Sequence, residues 1–281
     1  MSYKSIVVHL DTSDRAHARL EFALRLARRF DAHLTALSAI YTPEPVSFYV
    51  MAGSADYFRE HRERRDERLA AIERLFHAET TRAKVSADWI AADARANTVV
   101  PRHARHADLV IVGQSDPNDP ETYIDDQFPE NLVLSAGRPV LFVPYAGDYP
   151  SLGERVLVAW DGSREAVRAT HDAMPFIEHA KRTTVVAVGN GNGNDPDANV
   201  RIPGADAALM LARHASDVNV LDIECGADAS IGDTLLSRAY ETGADLLVMG
   251  AYGHARWREL VMGGVTRTVL ASMTLPVLMS H

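Results

Sequence analysis

Short apolar runs rich in β-branched residues recur along this chain, and between them apolar positions return every three or four residues. In the second half "RVLVAW" (155–160), "TTVVAVGN" (183–190), "VNVLDIECG" (218–226), "ADLLVMG" (244–250) and "LPVLM" (275–279) read as strands. The segments between them carry the helical period: 163–180 with Ser163 as N-cap, 205–214, 230–243 closed by Gly243, and a last helix starting near Gly264. Continuous apolar runs suit strands covered on both faces, and alternation with helices implies parallel pairing through right-handed crossovers. The pattern therefore predicts an α/β fold built on an open five-stranded parallel sheet.

The same pattern occurs twice. "SIVVHLDTS" (5–13) matches "RVLVAWDGS" (155–163) at a spacing of 150 residues, which sets Asp11 over Asp161. "ADLVIVG" (107–113) matches "ADLLVMG", and "RPVLFVP" (138–144) matches "LPVLMSH" (275–281), both at a spacing of 137. The Gly- and Pro-bearing stretch "YAGDYPSLGE" (145–154) separates the copies. Two tandem domains are expected, at residues 1–148 and 153–281, each of ordinary size.

Composition narrows the function classes. The chain of 281 residues is 47% hydrophobic with a net charge of −9, which supplies a core and argues against a general nucleic-acid binder. The arginine-rich run 59–75 is interleaved with acids and reads as a solvated amphipathic helix. Cys225 is the only cysteine, so no intrachain disulfide can form, and this fits a reducing compartment. Neither a leader-like apolar segment nor a run of ~18 apolar residues is present, so the expectation is a soluble, cytoplasmic protein without membrane contact.

The candidate chemistry lies in "MGAYGHARWRELVMGG" (249–264), with glycines at 250, 253, 263 and 264. It follows the fourth strand of the second copy and opens a helix, and in such sheets ligands sit beyond the carboxyl ends of the strands where strand order reverses. Glycines let backbone approach a ligand, and a helix N-terminus offers free amides to an anion. Physically, the segment is either an anion or nucleotide cradle or a turn-rich loop. Other patterns fail: "NGNGND" (190–195) places Pro196 where a dinucleotide fingerprint needs glycine, "GQSDP" (113–117) is no nucleophile elbow, and His103 and His106 read as surface histidines.

The G-x2-G-x9-G spacing after a fourth strand, the Asp closing the first strand and the final "PVL" strand resemble the universal stress protein family, across both halves. The resemblance implies two tandem Rossmann-like domains of the adenine nucleotide alpha hydrolase-like kind, packed as an intrachain pseudo-dimer, with a homodimer as a further possibility. It implies an adenine nucleotide, ATP or ADP, alone or with Mg²⁺, in the second half. Asp161 would meet the adenine, with Ala159 and Trp160 lining that pocket and Val188 a looser match. Met249, Gly250, Gly253, Gly263, Gly264 and Val265 would form the ribose and phosphate wall. The family has Ser or Thr where this chain has Gly264, and Thr266 is the nearest substitute hydroxyl. His254, with Arg256 and Arg258 near it, could add positive charge.

The first copy serves as an internal control. At a spacing of 137, Gly253 and Gly263 face Asp116 and Asp126, so carboxylates stand where phosphates would lie, and Pro117 and Pro120 remove amide donors. The first half is expected not to hold nucleotide, which leaves Asp11 structural and Asp116, Asp119, Asp125 and Asp126 a solvated acidic loop. No general base is visible beside the glycine loop, and no catalytic or metal-ligating set stands out. A nucleotide-binding stress sensor or regulator is expected, with a nucleotide-free scaffold or a slow ATP hydrolase as alternatives.

Overall fold

The computed structural model describes residues 2–39, 55–116, 127–189, 204–224, 230–253 and 264–281; side chains of 55–62, 188–189 and 224 are also left aside. The first half runs β1 (Ser5–His9), α1 (Ala16–Phe30), β2 (His33–Ala39), α2 (Ala55–Ala83), β3 (Ala87–Ala92), α3 (Ala96–Ala104), β4 (Leu109–Gly113), α4 (Phe128–Ala136) and β5 (Val140–Val143). The second runs β6 (Arg155–Trp160), α5 (Arg164–Asp172), α6 (Met174–Ile177), β7 (Arg182–Gly189), α7 (Gly204–Leu211), β8 (Val218–Glu224), α8 (Ile231–Thr242), β9 (Leu246–Gly250), α9 (Gly264–Ser272) and β10 (Val277–Ser280).

All ten strands form one sheet in the order β3-β2-β1-β4-β5-β10-β9-β6-β7-β8. Pairing within each half is parallel, as the β/α alternation predicts, and the halves meet through the antiparallel pair β5·β10. The second half repeats the first in register. Ile6 pairs with Leu109 and Val7 with Val110, while Val156 pairs with Leu246 and Leu157 with Leu247. At the joint Leu141 faces Leu278, its own counterpart at a spacing of 137, with Phe142 opposite Val277 and Val140 opposite Met279. This self-complementary register places a pseudo-two-fold axis between the two leucines.

Helices cover both faces, which is why β4, β9 and β10 are buried along nearly their whole length. One face packs Leu20 of α1, Phe76 of α2, Ala169 of α5, Phe176 of α6 and Leu211 of α7 into a shared core. The other packs Val100 of α3, Leu132 of α4, Leu235 of α8 and Val269 of α9. The linker after β5 is tied to the first half by guanidinium bonds, from Arg15 to the Gly147 carbonyl at 2.7 Å and from Arg25 to that of Tyr149 at 2.8 Å.

Residues 163–180 form two helices rather than the expected one. Pro175 has no amide to continue the α5 ladder, and the chain restarts as the short α6 with proline in its first turn. Gly243 closes α8 at φ 63°, as its position after the helical pattern predicts. No described helix is long and apolar enough to cross a membrane. Cys225 and the "NGNGND" segment lie outside the described residues.

Candidate functional site

Strand order reverses between β6 and β9: from β6 the chain goes outward to β7 and β8, then returns to β9 on the other side. The crevice beyond the carboxyl ends of these two strands is thus the switch point of the second half. Asp161 follows β6, and its Oδ1 accepts the Ser163 amide at 2.9 Å, with Gly162 at φ 77° supplying the left-handed step into α5. Ser163 caps α5 by accepting the Ala166 amide at 3.1 Å.

The glycine turn follows β9 directly. The Ala251 amide donates to Ser280 of β10 at 2.9 Å, and His281 Nδ1 meets the Ala251 carbonyl at 3.0 Å. Tyr252 takes a left-handed φ of 58°, and its amide meets Thr266 Oγ1 at 3.4 Å. Thr266 is buried, so its hydroxyl braces this turn against the first turns of α9. Gly250 and Gly253 are small for a reason inside the protein. A Cβ at 250 would stand 2.5 Å from the Ala166 amide nitrogen, and one at 253 would stand 2.9 Å from Ser163 Oγ. Gly264 differs: a Cβ there would meet nothing within 4 Å among the described residues, and the residue is exposed at the start of α9.

Ala159 is half-buried on the α8/α9 side of the sheet, with Val265 and the buried Met249 on the same side. Trp160 turns the other way, into the core with Ala169 and Phe176, so it offers the crevice backbone rather than ring. Val188 sits in β7 opposite Ile223. His254 and Gly263 lie outside the described residues, as do Asp119, Asp125 and Asp126 of the first half.

Comparison of the halves sharpens the site. The counterpart of Ala159 is His9, and that of Val265 is Phe128; both are buried, and their rings pack against each other, tilted by 56° with centroids 5.2 Å apart. The counterpart of Ala169 is Arg19, whose guanidinium makes a two-pronged pair with Asp11 at 2.8 and 3.0 Å. Arg19 also lies 2.8 Å from where a Gly113 Cβ would be. The first crevice is thus filled by the protein itself. Burial drives the His9 imidazole down to about 4, against the pull of the Asp11 carboxylate and helped by Arg19. Burial works to raise the Asp11 carboxyl, but Arg19, with His9 and Ser13, outweighs it and holds the group below its usual value.

One residue of the second site was not read from the sequence. Glu165, in the first turn of α5, is 3% exposed; one oxygen meets the Arg164 Nε, and Oε2 has no hydrogen-bond partner. A Cβ at Gly253 would stand 3.0 Å from that Oε2. In sequence this glutamate looks like an ordinary acid at a helix N-terminus, and only the packing of β9 against α5 buries it. Among the described residues no group of three or more His, Cys, Asp or Glu is arranged to hold a metal. A cavity of about 400 Å³ lined by Arg25, Leu26, Tyr149, Leu152 and Lys181 lies apart from the crevice, between α1 and the linker.

The universal stress protein family model matches residues 2–144 and again 153–281. A curated universal stress protein of Synechocystis sp. is 30% identical over 155 residues, which are 53% of this chain and 49% of that protein. The chain thus spans about half the length of that relative. A solved universal stress protein from Archaeoglobus fulgidus superposes with a TM-score of 0.71 at 18% identity, covering 98% of this chain and 95% of that one. A functionally unknown protein from Pseudomonas aeruginosa PAO1 does so with a TM-score of 0.58 at 18% identity, over 99% and 92% of the two chains.

Proposed function

The chain belongs to the universal stress protein family, and on that premise we propose that it is a cytoplasmic stress-response regulator holding an adenine nucleotide, ATP or ADP, in its second half only. One observation carries this reading. Where the first half fills its crevice with the packed rings of His9 and Phe128, the second has Ala159 and Val265. Space on the α8/α9 side of the switch point suits a planar base, with Asp161 at its rim. The turn from Gly250 to Gly253 and the start of α9 at Gly264 then face the phosphates, joined in this reading by His254 and Gly263. Backbone amides and the positive end of α9 supply the anion binding, which offsets the missing hydroxyl at 264.

Nucleotide acts here by linkage. A ligand that binds only the folded form stabilises it by about 2.7 kcal/mol at a hundredfold excess over Kd. It also favours whichever conformation or assembly, a homodimer included, keeps the crevice formed. The double substitution Ala159→His with Val265→Phe copies the first half's filling into the second. Calorimetric titration with ADP is expected to show binding by the unaltered chain and none by the double variant. Undiminished binding by the variant would remove this assignment, and absence of heat in both would favour a scaffold acting through protein contacts.

A further inference from the structure

We infer that the cavity between α1 and the linker is a second ligand site, separate from the crevice, which takes a small organic dianion with an apolar body, of the aryl phosphate monoester kind. Its place comes from the fold. Glu154 immediately precedes β6 and Lys181 immediately precedes β7, so the cavity lies at the amino ends of those strands, the opposite end from the crevice. Helix α1 of the first half forms one wall, and the linker, which occurs once in the chain, forms another. A volume of about 400 Å³ is within the usual range for small-molecule sites and is larger than a bare phosphate ion needs.

Charge decides what enters. Arg25, Arg29 and Lys181 line the cavity against one lining carboxylate, that of Glu154, a local excess of cation in a chain of net charge −9. Lys181 is paired with Glu154 at 2.7 Å, whereas the two guanidiniums meet neutral carbonyls: Arg25 donates to that of Tyr149 at 2.8 Å, and Arg29 to that of Leu152. Such bonds fix the forks in place and leave their charge standing. The Asp245 carboxylate near Arg29 is engaged by the amides of Glu154 and Arg155, at 3.1 and 2.9 Å. Burial outweighs the pull of Asp245 and Glu154 and holds Arg29 below the ordinary arginine value. A desolvated cation of this kind gains when a further anion approaches. Arg25 and Arg29 stand four residues apart on α1, which sets both forks on one side of the helix. Each lies over aromatic rings, Arg25 at 5.7 Å from the Phe22 centroid and Arg29 at 5.4 and 5.5 Å from those of Phe30 and Phe176. Two preset forks beside an ammonium suit the oxygens of a phosphate, which arginine meets in two-pronged fashion. The body of the ligand has its own surface, for Phe22, Leu26 and Leu152 line the same cavity and are themselves buried.

The test is calorimetric titration of the full chain with phenyl phosphate and, separately, with inorganic phosphate. The unaltered protein is expected to bind phenyl phosphate at least about tenfold more tightly than inorganic phosphate, through the apolar floor. Arg25→Gln should weaken phenyl phosphate at least about tenfold by removing one fork. Glu154→Gln removes the competing carboxylate and should tighten it several-fold, a gain that a misfolded variant could not produce. Ala159→His with Val265→Phe, which fills the crevice, should leave it unchanged. No binding of phenyl phosphate by the unaltered protein would overturn the inference, as would equal affinity for the two probes. Unchanged affinity in both Arg25→Gln and Glu154→Gln would overturn it too. Loss of binding in the crevice variant would move the anion to the crevice and remove this site.

Discussion

At the scale of single residues, the two halves place different side chains in one frame, and those differences are measurable. His9 is buried neutral with its titration depressed to about 4, while in the unfolded chain it titrates near the ordinary histidine value of 6.5. The unfolded form therefore binds more protons between those values, and stability falls as pH drops from about 6.5 towards 4. The full depression is worth about 3 kcal/mol. Asp11 adds a loss of the same sign at lower pH, since its carboxylate is favoured in the fold and is protonated only below its usual range. Chemical denaturation at pH 7 and pH 4.5 should show this dependence, and His9→Leu should flatten the part above pH 4. Among the described residues a Cβ at Gly264 meets nothing within 4 Å, and on the proposed nucleotide reading Gly264→Ser should tighten ADP binding several-fold through its hydroxyl. Unchanged affinity in that variant would place the phosphates away from the start of α9.

At the scale of elements, packing sets what the glycine pattern could not. Gly250→Ala drives a Cβ to 2.5 Å from the Ala166 amide nitrogen and 2.6 Å from the Glu165 carbonyl carbon, both backbone atoms that yield only if α5 shifts. The expected cost is about 1–3 kcal/mol, read as a lowered thermal midpoint with or without nucleotide. Strand and helix order was legible because buried parallel strands and amphipathic helices leave different periods in the chain. The role of Gly250 was only half legible: spacing marked it as special, yet its close neighbour in the fold is helix α5. Glu165 was not legible at all, because its burial comes from β9, eighty-odd positions away in the chain. The break at Pro175 was visible in the letters but hidden by an unbroken apolar period.

At the scale of the whole molecule, the repeat dictates the joint. The β5·β10 pair centres on Leu141 and Leu278, both fully buried, so one polar substitution there opens the seam from both sides. Leu278→Asp is expected to cost at least about 3 kcal/mol, and proteolysis should then cleave near the linker before the helices are lost. The two-domain organisation was readable from self-similarity, while the pairing of the last strands across the halves was not, since an apolar run does not say which edge it joins.

The self-paired leucines also bear on how the two crevices came to differ. Had the halves been separate identical chains meeting at that seam, any change in one crevice would have appeared in both, and dilution would have pulled the pair apart. A covalent link keeps the partner at an effective concentration that dilution cannot lower. It also lets each copy change alone, so that Arg19, His9 and Phe128 could settle into one crevice while the other kept small side chains at the matching positions.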